Sequence, residues 1–488
     1  MGLHALTQAF KLLWSRVQMD STPTGRGVFD QRKTVLSLAS GAAALARTTD
    51  SSNPVAALQQ LCRSVPVVDL VNLLASTAAQ CHASDVHIEP RHDHVAVRYR
   101  LDGLLTAITH LPKWMDAALT SRVKVLAGMD IADKRRPQDG RLAIKGESGD
   151  VVFRVSTLPT QYGEKVVMRL LHEHTVVPPL DSLGLSDVNL DRLQGLLRNH
   201  HGMILVVGPT GSGKTTTLAS ALSSLHSDEM NIITLEDPIE YPLPAVNQTQ
   251  INDKADLTFA AALRAALRQD PDVIMLGEIR DGETAKTAMW ASQTGHLVLS
   301  TLHTNDAPSA VTRLMDLGVE PYTISSTLLG VVAQRLVRKL CLHCRKPALP
   351  SAGLLADFGL DETDIAAARI FGPGGCSHCH YTGYRGRVGI YEILVMTRSL
   401  RSRIVQGIRD DDGLREVALG EGMVGMPEDG RSKVALGITS MEELLRVVNR
   451  PCTPRRSNRV GAPMMESLPP QNESHELLRL ERGRRSTI

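Results

Sequence analysis

Residues 208–215 read Gly-Pro-Thr-Gly-Ser-Gly-Lys-Thr. The apolar run Met203-Ile204-Leu205-Val206-Val207 precedes them and predicts a buried strand, while 215–225 predicts a helix. A strand, a glycine-rich turn and a helix start are the three parts of a phosphate-cradling loop. The glycines let backbone N–H groups turn inward around an anion, and the helix N-terminus adds partial positive charge. Within Gly208, Pro209, Thr210, Gly211, Ser212, Gly213, Lys214 and Thr215, the Lys214 ammonium is expected on the β- and γ-phosphates of ATP. The Thr215 hydroxyl is expected to hold Mg²⁺.

Further strands are predicted at 232–235, 273–276 and 297–302, with helical stretches between them. Such alternation implies an α/β unit with a parallel sheet covered by helices. In Asp270-Pro271-Asp272-Val273-Ile274-Met275-Leu276-Gly277-Glu278 an acid stands just past a buried strand, at the end that faces ligands in open α/β sheets. Many phosphate-loop proteins have an Mg²⁺-binding Asp where this chain has Gly277, so the Mg²⁺-shell and water-orienting roles fall to Glu278. Leu235-Glu236-Asp237-Pro238-Ile239-Glu240-Tyr241 crowds three acids, which is costly without a cation or Arg nearby. Glu236 is the best candidate there for a place near Mg²⁺ or water. His303 ends the last strand and is the candidate γ-phosphate sensor. His296 begins it and reads equally well as a core histidine.

Composition bounds the remaining classes. The 54 basic and 52 acidic residues are interspersed and aromatics are 3%, so neither a basic stripe nor stacking platforms for a nucleic acid are expected. No charge-free run of about 18 apolar residues occurs, so no transmembrane helix is predicted. Gln8, Lys11 and Ser15 interrupt any signal-peptide core, and the expected compartment is the cytoplasm. Four of the seven cysteines form two C-x-x-C pairs, Cys341/Cys344 and Cys376/Cys379. Two thiolates on each of two tight turns make a tetrahedral S₄ site for structural Zn²⁺, with a redox pair as the alternative.

The organisation read from these signals begins with a short, partly helical region, 1–62. In it 1–20 is either an amphipathic docking helix or a helix packed on its own domain. A small α+β domain follows at 63–171 and a linker at 172–185. The ATPase unit spans 186–340, the tetracysteine segment 341–379 and a helical C-terminal part 380–450. The composition of 451–488 predicts a disordered tail.

Together these stretches resemble the secretion ATPases of the GspE/PulE/PilB family, over about 63–449. The resemblance is carried by Ala83-Ser84-Asp85-Val86-His87-Ile88-Glu89-Pro90, Pro137-Gln138-Asp139-Gly140-Arg141 and the phosphate loop. It continues through the acidic box at 236–240, Leu267-Arg268-Gln269-Asp270-Pro271-Asp272, Gly277-Glu278-Ile279-Arg280-Asp281, and Thr294-Gly295-His296 to His303-Thr304-Asn305. The four cysteines and Thr382-Gly383-Tyr384-Arg385-Gly386-Arg387 complete it. It implies a RecA-like motor domain preceded by a PAS-like domain, assembled as a homo-hexamer and bound peripherally to the inner membrane through platform proteins. It implies that Glu278 is the catalytic glutamate, that the four cysteines hold zinc, and that Arg141 and Arg154 reach the nucleotide phosphates when the domains close. Family members usually carry a longer N-terminal docking domain than the roughly 60 residues found here. Asp429-Gly430-Arg431-x-Lys433-Val434 and Tyr391-Glu392-Ile393-Leu394 favour type II secretion over type IV pilus assembly. A nucleic-acid motor is the remote alternative.

Overall fold

The computed structural model describes residues 65–448 together with Leu58 and Cys62, apart from 147–148, 172–175, 226–227, 349–369 and 408–409. The expected helix at 1–20 and the tail at 451–488 lie outside the described residues. None of the described helices is long and apolar enough to cross a membrane.

The first domain opens with the helix Val67–Gln80, preceded by Pro66, which suits a helix start because it has no N–H to satisfy. Its apolar face, including Leu70, Val71, Leu74 and Ala78, packs into the domain core. Six antiparallel strands follow. They are β1 (Asp85–Pro90), β2 (His94–Leu101), β3 (Leu104–Pro112), β4 (Gln138–Gly146), β5 (Gly149–Thr160) and β6 (Gly163–Leu171), in the order β3-β2-β1-β6-β5-β4. Asp102-Gly103 makes the two-residue turn between β2 and β3, as the Asp-Gly signal predicts. The central strand β1 is buried along its whole length. On β2, Tyr99 is buried and donates its hydroxyl proton to the Leu74 carbonyl at 2.6 Å, fixing the helix on the sheet.

Register places one row of side chains across five strands. Asp85 on β1 pairs with Arg100 on β2 and with Arg169 on β6. Arg169 pairs with Arg154 on β5, which pairs with Arg141 on β4. Direct cross-strand partners share a face of the sheet, so four guanidinium groups and one carboxylate stand in line.

The second sheet carries the phosphate loop. Its strands are β7 (Gly202–Val207), β8 (Ile232–Glu236), β9 (Asn247–Gln250), β10 (Val273–Leu276), β11 (Leu297–Leu302) and β12 (Leu328–Leu340). After a short ribbon of β13 (Lys346–Pro347) with β14 (Phe371–Gly372) comes β15 (Tyr384–Val395). The order is β15-β12-β7-β11-β10-β8-β9, parallel except for β15. Strands β7, β8, β10 and β11 are buried throughout, as apolar runs covered by helices on both faces should be. Two of the covering helices begin at capping side chains. Asp281 accepts from the Thr284 N–H at 2.8 Å, and Thr258 accepts from the Ala261 N–H at 3.3 Å.

The stretch from 380 differs from its helical expectation. Its first part is β15, antiparallel to β12, and the helices Arg398–Val405, Asp411–Gly420, Met426–Ala435 and Met441–Val448 come only afterwards. Val388, Ile390 and Ile393 are β-branched residues that fit a pleated surface, and the last two are buried against their neighbours.

Candidate functional site

The loop after β7 turns as the glycine spacing requires. Gly208, Gly211 and Gly213 have φ of 149°, 79° and 90°. A side chain at Gly208 would bring its Cβ to 2.4 Å from the Gln334 carbonyl oxygen, so β12 lies directly beneath the loop. The helix Lys214–Leu225 begins at the loop's end and aims its N-terminus at the space the loop encloses. The Lys214 ammonium donates to the carbonyls of Gly208 at 2.8 Å and Pro209 at 3.2 Å. Burial lowers its pKa, and the charges of Glu278 and Glu240 oppose that shift.

Glu278 stands past β10, as expected. One carboxylate oxygen lies 3.1 Å from His303 Nε2, and the other is paired with the Arg280 guanidinium. Burial pushes this carboxyl up, but the bonds and charges of Arg280 and His303 outweigh burial and hold it below the ordinary range. The tips of β10 and β11 are tied together by Ser300 and Thr301, whose hydroxyls donate to the carbonyls of Leu276 and Gly277 at 2.9 and 2.8 Å. That tie fixes Glu278 and His303 side by side. Glu236 ends β8 and is buried, and it accepts from Thr234 Oγ1 at 2.6 Å and Gln248 Nε2 at 2.9 Å. Burial raises its pKa despite those bonds. His296 is a capping residue, its Nδ1 2.9 Å from the Ala291 carbonyl at the end of the preceding helix.

A cavity of about 940 Å³ brings these groups together. Residues Pro209 to Thr216, Glu236, Glu278 and His303 line one wall. The first domain also contributes to the lining, with Asp85, Arg100 and Arg169 among its residues. Asp85 holds both arginines, with its oxygens 2.9 Å from Arg169 Nε and 3.3 Å from Arg100 Nε. Arg141 and Arg154, named from the sequence, are exposed at the far end of the same row and are not among the lining residues. The two domains are bridged at the cavity edge by Asp102, which accepts from the Gly386 N–H at 2.9 Å.

Arg100, Arg169 and Arg280 were not singled out from the sequence. The signal for Arg100 is the strand alternation in Arg98-Tyr99-Arg100, and for Arg169 the strand predicted over 165–171, but which strands lie in register is not written locally. Arg280 lies within the segment Gly277-Glu278-Ile279-Arg280-Asp281. Its position two residues beyond a candidate catalytic acid was the available clue.

The four cysteines form one cluster, all four sulfurs lying within 4.8 Å of one another. Cys341 Sγ lies 3.8 Å from Cys376 Sγ, and Cys344 Sγ lies 3.7 Å from Cys379 Sγ. Sulfurs about 2.3 Å from a central Zn²⁺ form a tetrahedron with edges of about 3.8 Å. The cluster therefore fits a metal and not a pair of disulfides, whose sulfurs bond at about 2.05 Å. Backbone N–H groups support the thiolate form. Gly375 donates to Cys344 Sγ at 3.1 Å, and Cys376 and Gly383 each donate to Cys379 Sγ at 3.2 Å. Burial pushes Cys341 up to about 12, whereas those backbone bonds overcome burial at Cys379 and hold it at about 7.

A glycine-rich cradle at a helix N-terminus, with a carboxylate and a histidine at the tips of the neighbouring strands, defines a phosphate-loop nucleotide hydrolase of the α/β class. The chain belongs to the family described as Type II/IV secretion system protein, whose model matches residues 60–446. It is 49% identical over 383 residues to the type II secretion system protein E of Dickeya dadantii, covering 78% of this chain and 76% of the relative. It is also 49% identical over 363 residues to the type IV pilus assembly ATPase PilB of Thermus thermophilus, covering 74% of this chain but 41% of that protein. Among solved structures it resembles the pilus retraction motor PilT with bound ADP, with a TM-score of 0.53 and 27% identity. That match covers 80% of this chain and 98% of PilT.

Proposed function

We propose that this chain is a Mg²⁺-dependent ATPase, working as a homo-hexamer, that converts ATP hydrolysis into movement of the first domain against the second. That movement powers pseudopilus assembly and protein export in type II secretion. The observation that carries the reading is the cavity at 208–215, whose lining is shared with another domain through Asp85, Arg100 and Arg169. A nucleotide seated there touches both domains, so its presence sets their separation.

In this mechanism the N–H groups of the loop and the Lys214 ammonium bind the phosphates. Lys214 exchanges its two loop carbonyls for phosphate oxygens. Mg²⁺, held by Thr215 with Glu236 and Glu278 nearby, would neutralise developing charge. Glu278 orients the attacking water and accepts its proton. It can do so only once the Arg280 pairing loosens, because a carboxylate held below its usual range is a weak base. His303 reports on the γ-phosphate through its bond to Glu278. Arg100 and Arg169 face the cavity first, and further closure along the row would bring Arg154 and Arg141 to the phosphates. In this reading the second domain is RecA-like, the first is PAS-like, and the four clustered cysteines would hold Zn²⁺.

The working place is the cytoplasmic face of the inner membrane, reached through platform proteins. Assembly of type IV pili is the second reading, favoured by the equal identity to the Thermus pilus ATPase. A deletion strain assayed for both surface pili and secreted enzymes separates them. Loss of enzyme export alone supports type II secretion, and loss of pili alone overturns it.

A further inference from the structure

Beneath the phosphate loop lies a residue that the family motifs and the mechanism above leave unused. Strand β12 pairs in parallel with β7 up to Ala333↔Val207. The next residue on β12, Gln334, therefore lies beside Gly208, where the loop begins. The residue is 1% exposed. Its Nε2 donates to the Ser212 carbonyl at 2.8 Å, across the inside of the loop. The same nitrogen would lie 3.1 Å from a Cβ built on Gly213. The amide is thus wedged against the peptide that joins Ser212 to Gly213.

A trans peptide is planar, and its C=O and N–H point in opposite directions. Holding the Ser212 carbonyl down towards β12 therefore turns the Gly213 N–H away from β12, into the cradle. Gly213 at φ 90° accommodates this orientation without strain. Two more atoms mark the contact as specialised. Gln334 Oε1 and Ser212 Oγ are both buried without a hydrogen-bond partner. Leaving such groups unpaired is costly, so an all-apolar floor would be the more stable choice if the position served packing alone.

We propose that Gln334 is a positioning residue for ATP. Its amide sets the 212–213 peptide so that the Gly213 N–H is presented to the phosphates. It acts through the loop and does not touch the nucleotide. This rests on reading 208–215 as the ATP cradle.

The test uses the full-length chain carrying Gln334→Met, which keeps the shape without a donor, or Gln334→Glu, which sets an acceptor against the Ser212 carbonyl. Lys214→Ala is the comparator. Binding of a fluorescent ATP analogue, the split between KM and kcat, and Tm are measured. Gln334→Met should weaken ATP binding by about tenfold, the worth of one misdirected hydrogen bond. Gln334→Glu should weaken it by roughly a hundredfold, because the Gly213 N–H is then drawn to the new carboxylate. In Gln334→Met, KM should rise while kcat stays within about threefold and Tm within about 3 °C, a split that a purely structural residue would not give, whereas the buried charge of Gln334→Glu should lower Tm further. Should Gln334→Met fold poorly, Gln334→Glu, of near-identical heavy-atom shape, carries the measurement.

Wild-type ATP affinity in the folded variants would overturn the inference, as would loss of fold in both. If Lys214→Ala also binds ATP normally, the cradle assignment itself has failed. If Lys214→Ala alone loses binding, only the role of Gln334 has failed.

Discussion

Glu278→Gln separates chemistry from scaffolding because the two carry different magnitudes. The amide keeps the side chain's shape and can still hydrogen-bond to His303, so the local packing survives. What is lost is the negative charge facing Arg280 and His303. Arg280 is substantially exposed, and an ion pair in such a setting contributes about 1 kcal/mol or less. For a chain of this size that lowers Tm by about 3 °C at most. Removing the group that orients and deprotonates the attacking water instead costs about 10²- to 10⁴-fold in rate. Phosphate release should therefore fall by at least about a hundredfold while the Kd for ATP stays within about threefold. The assay is steady-state phosphate release alongside titration with a fluorescent ATP analogue and a melting curve. A Glu278→Gln chain that turns over within about threefold of wild type would refute the assignment, and so would an equal loss of binding and turnover.

The other predictions concern charge and metal. Glu443 is buried, and burial raises its pKa, but bonds from Arg446 and Arg338 reverse this and hold it at about 2. A depressed carboxyl stabilises the fold above its unfolded pKa, near 4.5, and that contribution is lost as pH falls towards 2. Its worth is on the order of 3 kcal/mol, so Tm should drop steeply between those pH values, and Glu443→Gln should flatten the drop. A Gln variant with the wild-type pH profile would contradict this. Metal analysis should find one zinc per chain, lost in Cys379→Ser together with a lower Tm. A metal-free chain of unchanged stability would remove the zinc reading. Arg100→Ala should weaken ATP binding, whereas Arg154→Ala should slow turnover with binding kept, since only Arg100 lines the cavity here. The reverse pattern would reverse their order of contact.

Features with a local cause were legible in the sequence. The phosphate loop, the strand ends that carry Glu278 and His303, the Asp-Gly hairpin and the two cysteine turns each follow from a few adjacent residues. Features set by register between distant segments were not. Arg100 and Arg169 meet at Asp85 only because β2 and β6 flank β1. Gln334 lies under Gly208 only because β12 runs beside β7. Strand β15 was hidden among residues expected to be helical because its partner β12 lies more than 40 residues upstream. The family resemblance names Arg141 and Arg154 for contact when the domains close, and in this structure the sheet order places them at the end of the row away from the cavity.

The central claim is that ATP in the 208–215 cradle moves the first domain against the second. It is tested most directly by energy transfer between fluorophores at two exposed positions, Trp114 on the first domain and Tyr322 on the second, in the full-length Glu278→Gln chain. Adding ATP should change the transfer efficiency, removing it should reverse the change, and the further substitution Lys214→Ala should abolish it. Transfer that is indifferent to ATP while ATP is demonstrably bound would contradict it.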